Sequence, residues 1–407
     1  MSIERSTEEM LAVIDIGSAK TTVVVGESRA DGPLLFVGYG QVESKGVKKG
    51  LVADLKEATE TVKRAVDQAE KMTGIEIASA VVSIGGTHIK GVNSRGGVVL
   101  GNRQREVERE DVRAAVERAR SVQFPADRQV LHLLPQQFLI DDHAGIQDPL
   151  GMTGSKLEVH LHLVTASASA VQSVVTAVNK AGVQVEDTVF EGIACAEMLC
   201  GLTDSARTLG ACLIDIGAGS TELVAYYDGA AIFTASIGIG GEHFTNDAAI
   251  GLRCTLGEAE RLKRTYGSAV VTCIPSDNVI EVPAGASPRV VSQRYLAEIL
   301  EPRARELFEL VRDALRAGGV LDNLGAGVVL SGGGARLSMI HEICEQVLRC
   351  PAQVEAGAPI ARMPHELITP EMAVPAGLLA YAHRTRNMKR AEGQGLKEKL
   401  LQLFAGA

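Results

Sequence analysis

Apolar positions near the start of the chain fall in short runs broken by glycine and aspartate, as in "AVIDIGSAKTTVVVGE" (12–27). Runs of this length, rich in β-branched residues, predict strands, so 11–26 and 33–43 read as a meander. The period then changes. In "DLKEATETVKRAVDQAEKMT" (54–73) apolar residues recur at helical spacing, with Asp54 placed to cap the start and Gly74 to close the end. "IASAVVSIGG" (77–86) reads as a buried strand entering a glycine turn.

From about 91 to 164 the pattern shifts to a short strand, a charged amphipathic helix ("REVEREDVRAAVERARSV") and two strands ("QVLHLLPQQFLIDD", "KLEVHLHLVTA"). This predicts a small α+β module inserted into the first half. "SASAVQSVVTAVNKAGVQV" (167–185) reads as a helix leading to a strand at 183–190, and residues 191–203 read as a further helix. Then the opening text returns: "CLIDIGAGSTELVAYYDG" (212–229) nearly repeats 12–27. Residues 241–315 mix two helices, a strand near 279–283 and a long helix from Ser292 to Leu315. "AGVVLSGGGARL" (326–337) is a strand running into glycines. Polar residues 383–395 read as a linker, and the last residues as a short amphipathic helix. The organisation is two similar halves, each with its own insertion, plus a tail.

Composition narrows what such a chain can do. Its 407 residues are 46% hydrophobic, enough for more than one core, but aromatics are only 3% and Trp is absent. The net charge of −9 and the lack of aromatic faces argue against a nucleic-acid binder. Seven cysteines without a C-x-x-C pair read as reduced thiols. The polar start "MSIERSTEEM" lacks the features of a secretory signal, which predicts a cytoplasmic protein. Charge is uneven: residues 384–407 carry +4 and the rest −13.

The candidate chemistry lies in the two echoes. Each brings an aspartate (Asp15, Asp215) to the end of an apolar strand and then turns tightly, through Gly17, Ser18 and Lys20 in one and Gly217, Gly219, Ser220 and Thr221 in the other. Backbone N–H groups of such turns make an anion-binding concavity. A carboxylate beside phosphate needs a divalent cation between them, so Asp15 and Asp215 would hold Mg²⁺ through water. Two such turns can grip a polyphosphate from both sides. Gly332, Gly333 and Gly334 offer close backbone approach to an adenine. Glu260 and Lys263, three apart on one helix, can hold ribose hydroxyls or form a plain ion pair. His160 and His162 share one strand face without a third ligand and read as structural.

Two phosphate loops, an E-x-x-K helix and a glycine-rich loop, met in this order along the chain, resemble the actin, Hsp70 and sugar-kinase superfamily. Within it, "GVKKGLVADL" (46–55), "VSIGGTHIKGVNSRG" (82–96), "VLHLLPQQFLID" (130–141), "DPLGMTGSKLEVHLHLV" (148–164) and "LAEILEPRARELFELV" (296–311) are similar to the FtsA family of bacterial cell-division proteins. The resemblance implies an α/β, actin-like two-lobed fold of duplicated RNase H-like domains. It divides the chain into a first lobe (1–90 and 165–205), an inserted subdomain (91–164), a second lobe (206–240 and 316–382) with its own subdomain (241–315), the linker (383–395) and a membrane-targeting helix (396–407). It also implies ATP and Mg²⁺ as ligands, self-assembly into filaments, and binding of the C-terminal tail of FtsZ around 241–315, with Arg294, Glu301 and Arg303 as candidate contacts. Other division proteins and the anionic cytoplasmic membrane at the division site are the remaining implied partners. Actin carries a water-positioning glutamine before its second phosphate loop. "FEGIACAEMLC" has none there; Glu191 is a catalytic candidate, or simply a helix N-terminal acid. ATP binding with at most weak hydrolysis is therefore expected.

The tail fits the same picture. Leu396, Leu400, Leu401, Leu403 and Phe404 form one face of a helix suited to the membrane interface. A single short anchor binds marginally, and a filament of many copies binds by effective concentration. The alternatives are a pilus-assembly adaptor like PilM and an enzyme of the sugar-kinase or polyphosphatase type.

Overall fold

The computed structural model describes residues 10–29, 32–101, 103–121, 124–283 and 288–392. Its first lobe is built on five strands in the order Gln184–Phe190, Ser79–Ile84, Met10–Ile16, Lys20–Glu27, Leu35–Glu43. The last three form an antiparallel meander, and Ser79–Ile84 and Gln184–Phe190 add in parallel on the other side. The second lobe repeats this arrangement strand for strand. Ala211–Ile216, Thr221–Tyr227 and Ala230–Ile237 make the meander, and Gly327–Ser331 and Ala352–Val354 add in parallel. The echo in the sequence is thus an echo in topology.

The inserted module contributes four antiparallel strands, Lys90–Val99, Lys156–Ser167, Arg128–Ile140 and His143–Ile146, in that spatial order. The helix Arg109–Arg120 buries Val112, Ala115, Val116 and Ala119 against them. This sheet does not stop at the module. Lys90 pairs with Ala235, which joins it to the second-lobe sheet as one run of nine strands. Around that joint the buried His162 ring faces Asn93 Oδ1 at 2.6 Å and Thr234 Oγ1 at 3.0 Å. Burial pushes its pKa down to about 4. His162 is a structural residue of this joint.

Local sequence accounts for the main helices. Asp54 accepts a hydrogen bond from the Glu57 N–H at 3.0 Å, and Gly74 closes the helix Leu55–Thr73 at φ 71°. Its apolar stripe of Ala58, Val62, Ala65, Val66 and Ala69 packs on the first sheet, where Gly40 lets the Ala65 carbonyl come close. In the second lobe, Ser292 caps the long helix Gln293–Ala317, whose buried stripe runs from Leu296 to Leu315.

Two sequence expectations are corrected. Residues 191–203 hold only a short helix, Glu191–Ala196. The polar stretch assigned to a linker from 383 is helical to Glu392, as part of the helix Ala373–Glu392. Its polar residues are partnered on the first lobe: Arg384 with Glu197 at 2.7 Å, Arg386 with the Met10 carbonyl at 2.8 Å, and His383 with Ser28 at 2.7 Å. Composition resembles a linker, but these long-range pairs hold a helix.

Candidate functional site

The two echoed hairpins have the same closure. Gly17 N–H donates to the Lys20 carbonyl at 3.0 Å, and Gly217 N–H to the Ser220 carbonyl at 2.9 Å. Register matches too, with Asp15 opposite Thr22 and Asp215 opposite Glu222. The hairpins meet across the cleft between the lobes. A Cβ at Gly219 would come within 2.6 Å of Ser18 Oγ and 2.7 Å of Lys49 Cα. Gly50 N–H donates to Ser18 Oγ at 3.1 Å, so the short hairpin Val47–Val52 straps the first turn to the second. Gly241 and Glu242 N–H groups donate to the Gly217 and Ala218 carbonyls, seating the helix Gly241–Leu252 on the second turn.

Four carboxyl groups line the floor of this cleft. Asp15 accepts from Ser83 Oγ at 2.6 Å, yet burial outweighs that bond and raises its pKa to about 6. Burial, then the charges of Glu222 and Asp15, push Asp215 well above the usual carboxylate range. Asp215 Oδ1 is buried without a hydrogen-bond partner among the described residues. Glu191 is likewise raised, by burial first and then by Glu222, Asp15 and Asp215. Glu222 is raised by burial although it accepts from Ser220 Oγ (2.8 Å), Gly86 N–H (3.1 Å) and Ser236 Oγ (3.1 Å).

Glu191, Asp215 and Glu222 each offer an oxygen within 4.8 Å of the others. An all-oxygen donor set with an orphaned buried oxygen suits a hard divalent cation such as Mg²⁺. Sequence reasoning named Asp15 and Asp215 for this role. It missed Glu222, which reads as an ordinary polar position in a strand, and gave Glu191 only a bare candidacy.

The glycine run lies against the second hairpin. Gly332, at φ 81°, would drive a Cβ into Asp215 Oδ1 and the Ile216 carbonyl, and Gly334 abuts Ile216. Gly333 is the open one: among the described residues, its chain neighbours apart, only Glu371 lies within 4 Å of its Cβ direction. Glu260 and Lys263 form the ion pair at 2.6 Å. Lys263 Nζ also donates to the Gly241 carbonyl (2.9 Å) and Thr245 Oγ1 (2.8 Å), which sets the pair on the helix seated on Gly217. Burial raises the Glu260 pKa, but hydrogen bonds from Lys263 and Thr245 outweigh it and hold the carboxyl below its usual range. Lys20 Nζ lies 3.2 Å from Glu371 Oε2.

The structure gives the three candidate partner residues internal contacts. Arg294 Nε donates to the Ile274 carbonyl at 2.8 Å, Glu301 accepts from Val271 N–H at 2.8 Å, and Arg303 pairs with Asp247 at 2.6 Å. They brace the subdomain. Its exposed apolar residues are others, among them Ile250, Leu256, Val279, Val290 and Tyr295. Val279 and Val290 sit on the two-stranded hairpin Val279–Val282/Arg289–Ser292, whose alternation buries Ile280 and Val282 and leaves Val279 outward. That alternation was the available signal. Leu396, Leu400, Leu401, Leu403 and Phe404 lie outside the described residues. No described helix is long and apolar enough to cross a membrane.

Two lobes of the same strand topology, each presenting a matching turn to a shared cleft, define an actin-like protein. The PilM–PilN type IV pilus biogenesis complex shares this fold, with a TM-score of 0.65 at 18% identity over 92% of this chain and 98% of that one. More specifically, the chain belongs to the FtsA family of cell division proteins. It is 37% identical to the cell division protein FtsA of Pseudomonas aeruginosa over 92% of this chain and 89% of that protein. Identity to FtsA of Escherichia coli K12 is 34%, over 95% and 94%. For FtsA of Bacillus subtilis it is 32%, over 98% and 90%. Family models match as "SHS2 domain inserted in FTSA" over residues 86–165 and "Cell division protein FtsA" over 212–377. The likeness to the pilus protein is one of fold.

Proposed function

We propose that this protein binds Mg-ATP between its lobes, assembles into filaments of its own copies, and tethers the FtsZ ring to the cytoplasmic membrane at the division site, where it helps recruit other division proteins. The observation that carries the nucleotide part is the meeting of Gly219 with Ser18 above an acidic floor. Two turns of backbone N–H groups can hold polyphosphate only if a cation offsets the carboxylates below.

Asp15, Asp215, Glu191 and Glu222 would hold the magnesium, directly or through water. When bound, the cation supplies charge neutralisation for the phosphates. The chain does the rest. Gly17, Ser18, Gly217, Gly219, Ser220 and Thr221 cradle phosphate oxygens, and Lys20 adds a positive charge. Gly332, Gly333 and Gly334 take the adenine, and Glu260 and Lys263 the ribose. Glu191, whose pKa burial and the neighbouring carboxylates raise, would be the group to accept a proton from an attacking water when ionised. A base whose pKa is raised in this way makes for slow hydrolysis, consistent with a nucleotide that sets lobe geometry and assembly.

For the partner, the subdomain at 241–315 offers an apolar surface at Ile250, Val279, Val290 and Tyr295, which suits the side chains of an FtsZ tail peptide. Arg294, Glu301 and Arg303 hold the frame of that surface. The amphipathic residues Leu396, Leu400, Leu401, Leu403 and Phe404 and the basic charge around them suit an anionic leaflet.

The test is co-sedimentation with anionic vesicles, with and without Mg-ATP and an FtsZ tail peptide. The full chain should pellet and carry the peptide with it, more so with Mg-ATP. A chain lacking 395–407 should stay in the supernatant yet still bind nucleotide. Vesicle pelleting unchanged by that deletion would refute the anchor, and failure to carry the peptide would refute the FtsZ link.

A further inference from the structure

Glu371 sits in the short turn Pro370–Met372, far along the chain from either hairpin. Its two carboxylate oxygens face opposite lobes. Oε2 is 3.2 Å from Lys20 Nζ on the first hairpin, and Oε1 is 3.1 Å from Arg336 in the turn that follows the glycine run. The turn itself is fixed to that run, because Gly332 N–H donates to the Pro370 carbonyl at 3.1 Å and Ser331 Oγ reaches it at 3.4 Å. Among the described residues, and apart from its chain neighbours, Glu371 alone comes within 4 Å of the open face of Gly333. One carboxylate therefore spans the mouth of the cleft, bridging a cation of each lobe beside the surface assigned to the nucleoside.

Stability does not explain this triad. All three side chains are partly exposed, and exposed ion pairs contribute little. Their placement does. Lys20 is the cation that the first hairpin offers to phosphate, and Glu371 already neutralises it. A phosphate, carrying more charge and more acceptor oxygens, is the stronger partner for the ammonium. We propose that Glu371 is a positioning residue that competes with the nucleotide polyphosphate for Lys20, so that Lys20 exchanges one anion for the other while Glu371 stays on Arg336. The affinity of the cleft is set below what its hairpins alone would give. Arrival of phosphate breaks this one bridge, while the turn stays docked on the first lobe through the buried Met372. The inference rests on the nucleotide reading above.

The experiment measures Mg-ATP and Mg-tripolyphosphate binding by calorimetry for the full chain, Glu371→Gln, Lys20→Ala and the double variant, at low and high salt. Glu371→Gln should tighten both ligands several-fold, and Lys20→Ala should weaken both. The double variant should match Lys20→Ala, because the competitor matters only through Lys20. The gain from Glu371→Gln should shrink as salt rises. Thermal melting without ligand should be unchanged in Glu371→Gln, which separates competition from a structural role. Unchanged or weaker binding by Glu371→Gln, with the unaltered chain binding Mg-ATP, overturns the competition alone. Equal tightening by Glu371→Gln in the Lys20→Ala background overturns it as well. No binding of Mg-ATP by the unaltered chain overturns both this inference and the nucleotide reading.

Discussion

Gly219 of the second hairpin lies directly against Ser18 of the first, leaving no room for even a methyl group between them. The lobes are in contact through backbone at the point where they would grip phosphate. Gly219→Ala would place a carbon 2.6 Å from Ser18 Oγ and 2.7 Å from the Lys49 backbone, and only a widened cleft relieves that. Mg-ATP affinity should fall at least roughly tenfold, a cost of ~1.4 kcal/mol, as read by calorimetry. Folded stability should change by no more than the ~1–3 kcal/mol typical of overpacking, as read by urea unfolding.

The acidic floor predicts a pH signature. Asp15 has its pKa raised from 3.8 to about 6, so the stability it contributes is fully present below about pH 4 and is lost as pH rises through about 6. Asp15→Asn removes that loss. Without divalent cation, the melting temperature of Asp15→Asn relative to the natural chain should climb between about pH 4 and 6 and level off above. Saturating Mg-ATP should raise the melting temperature of the natural chain and raise that of Asp15→Asn by less. A difference that is flat with pH would mean that Asp15 is not held as a buried acid.

Hydrolysis is the third test. Glu191→Gln keeps the shape of the side chain and removes its ability to take a proton. Steady-state phosphate release should drop by roughly 10²-fold or more, the usual scale for losing a general base. Mg-ATP affinity should be within a few-fold of the original, since Asp15, Asp215 and Glu222 remain.

The apolar hairpin gives the fourth. Val279 and Val290 are exposed, so Val279→Asp with Val290→Asp should leave melting unchanged. Fluorescence anisotropy with a labelled FtsZ tail peptide should show a loss of ~2 kcal/mol or more, as expected when central apolar contacts are replaced by charge. Arg303→Ala should instead lower stability, because it breaks the pair with Asp247.

Much of this was legible in the chain. The repeat of "DIG" predicted two like turns because strand period, glycine and aspartate are local signals, and the Asp54 and Gly74 caps were read for the same reason. What escaped depends on distant partners. Glu222 looks like any polar strand residue until Gly86 and Ser236 are seen to hold it. Residues 383–392 looked like a linker because Glu197, Ser28 and Met10, which hold the helix, lie nearly two hundred residues or more away in sequence. Arg294, Glu301 and Arg303 make contacts with Ile274, Val271 and Asp247 that the helix's own sequence does not show.

The pairing of Lys90 with Ala235 has a mechanical result. The inserted module enters and leaves the chain through the first lobe, but its sheet is stitched to the second. Any change in the angle between the lobes therefore reaches the module through two attachments pulling from different sides. A module tied to both lobes must shift or strain with any such change.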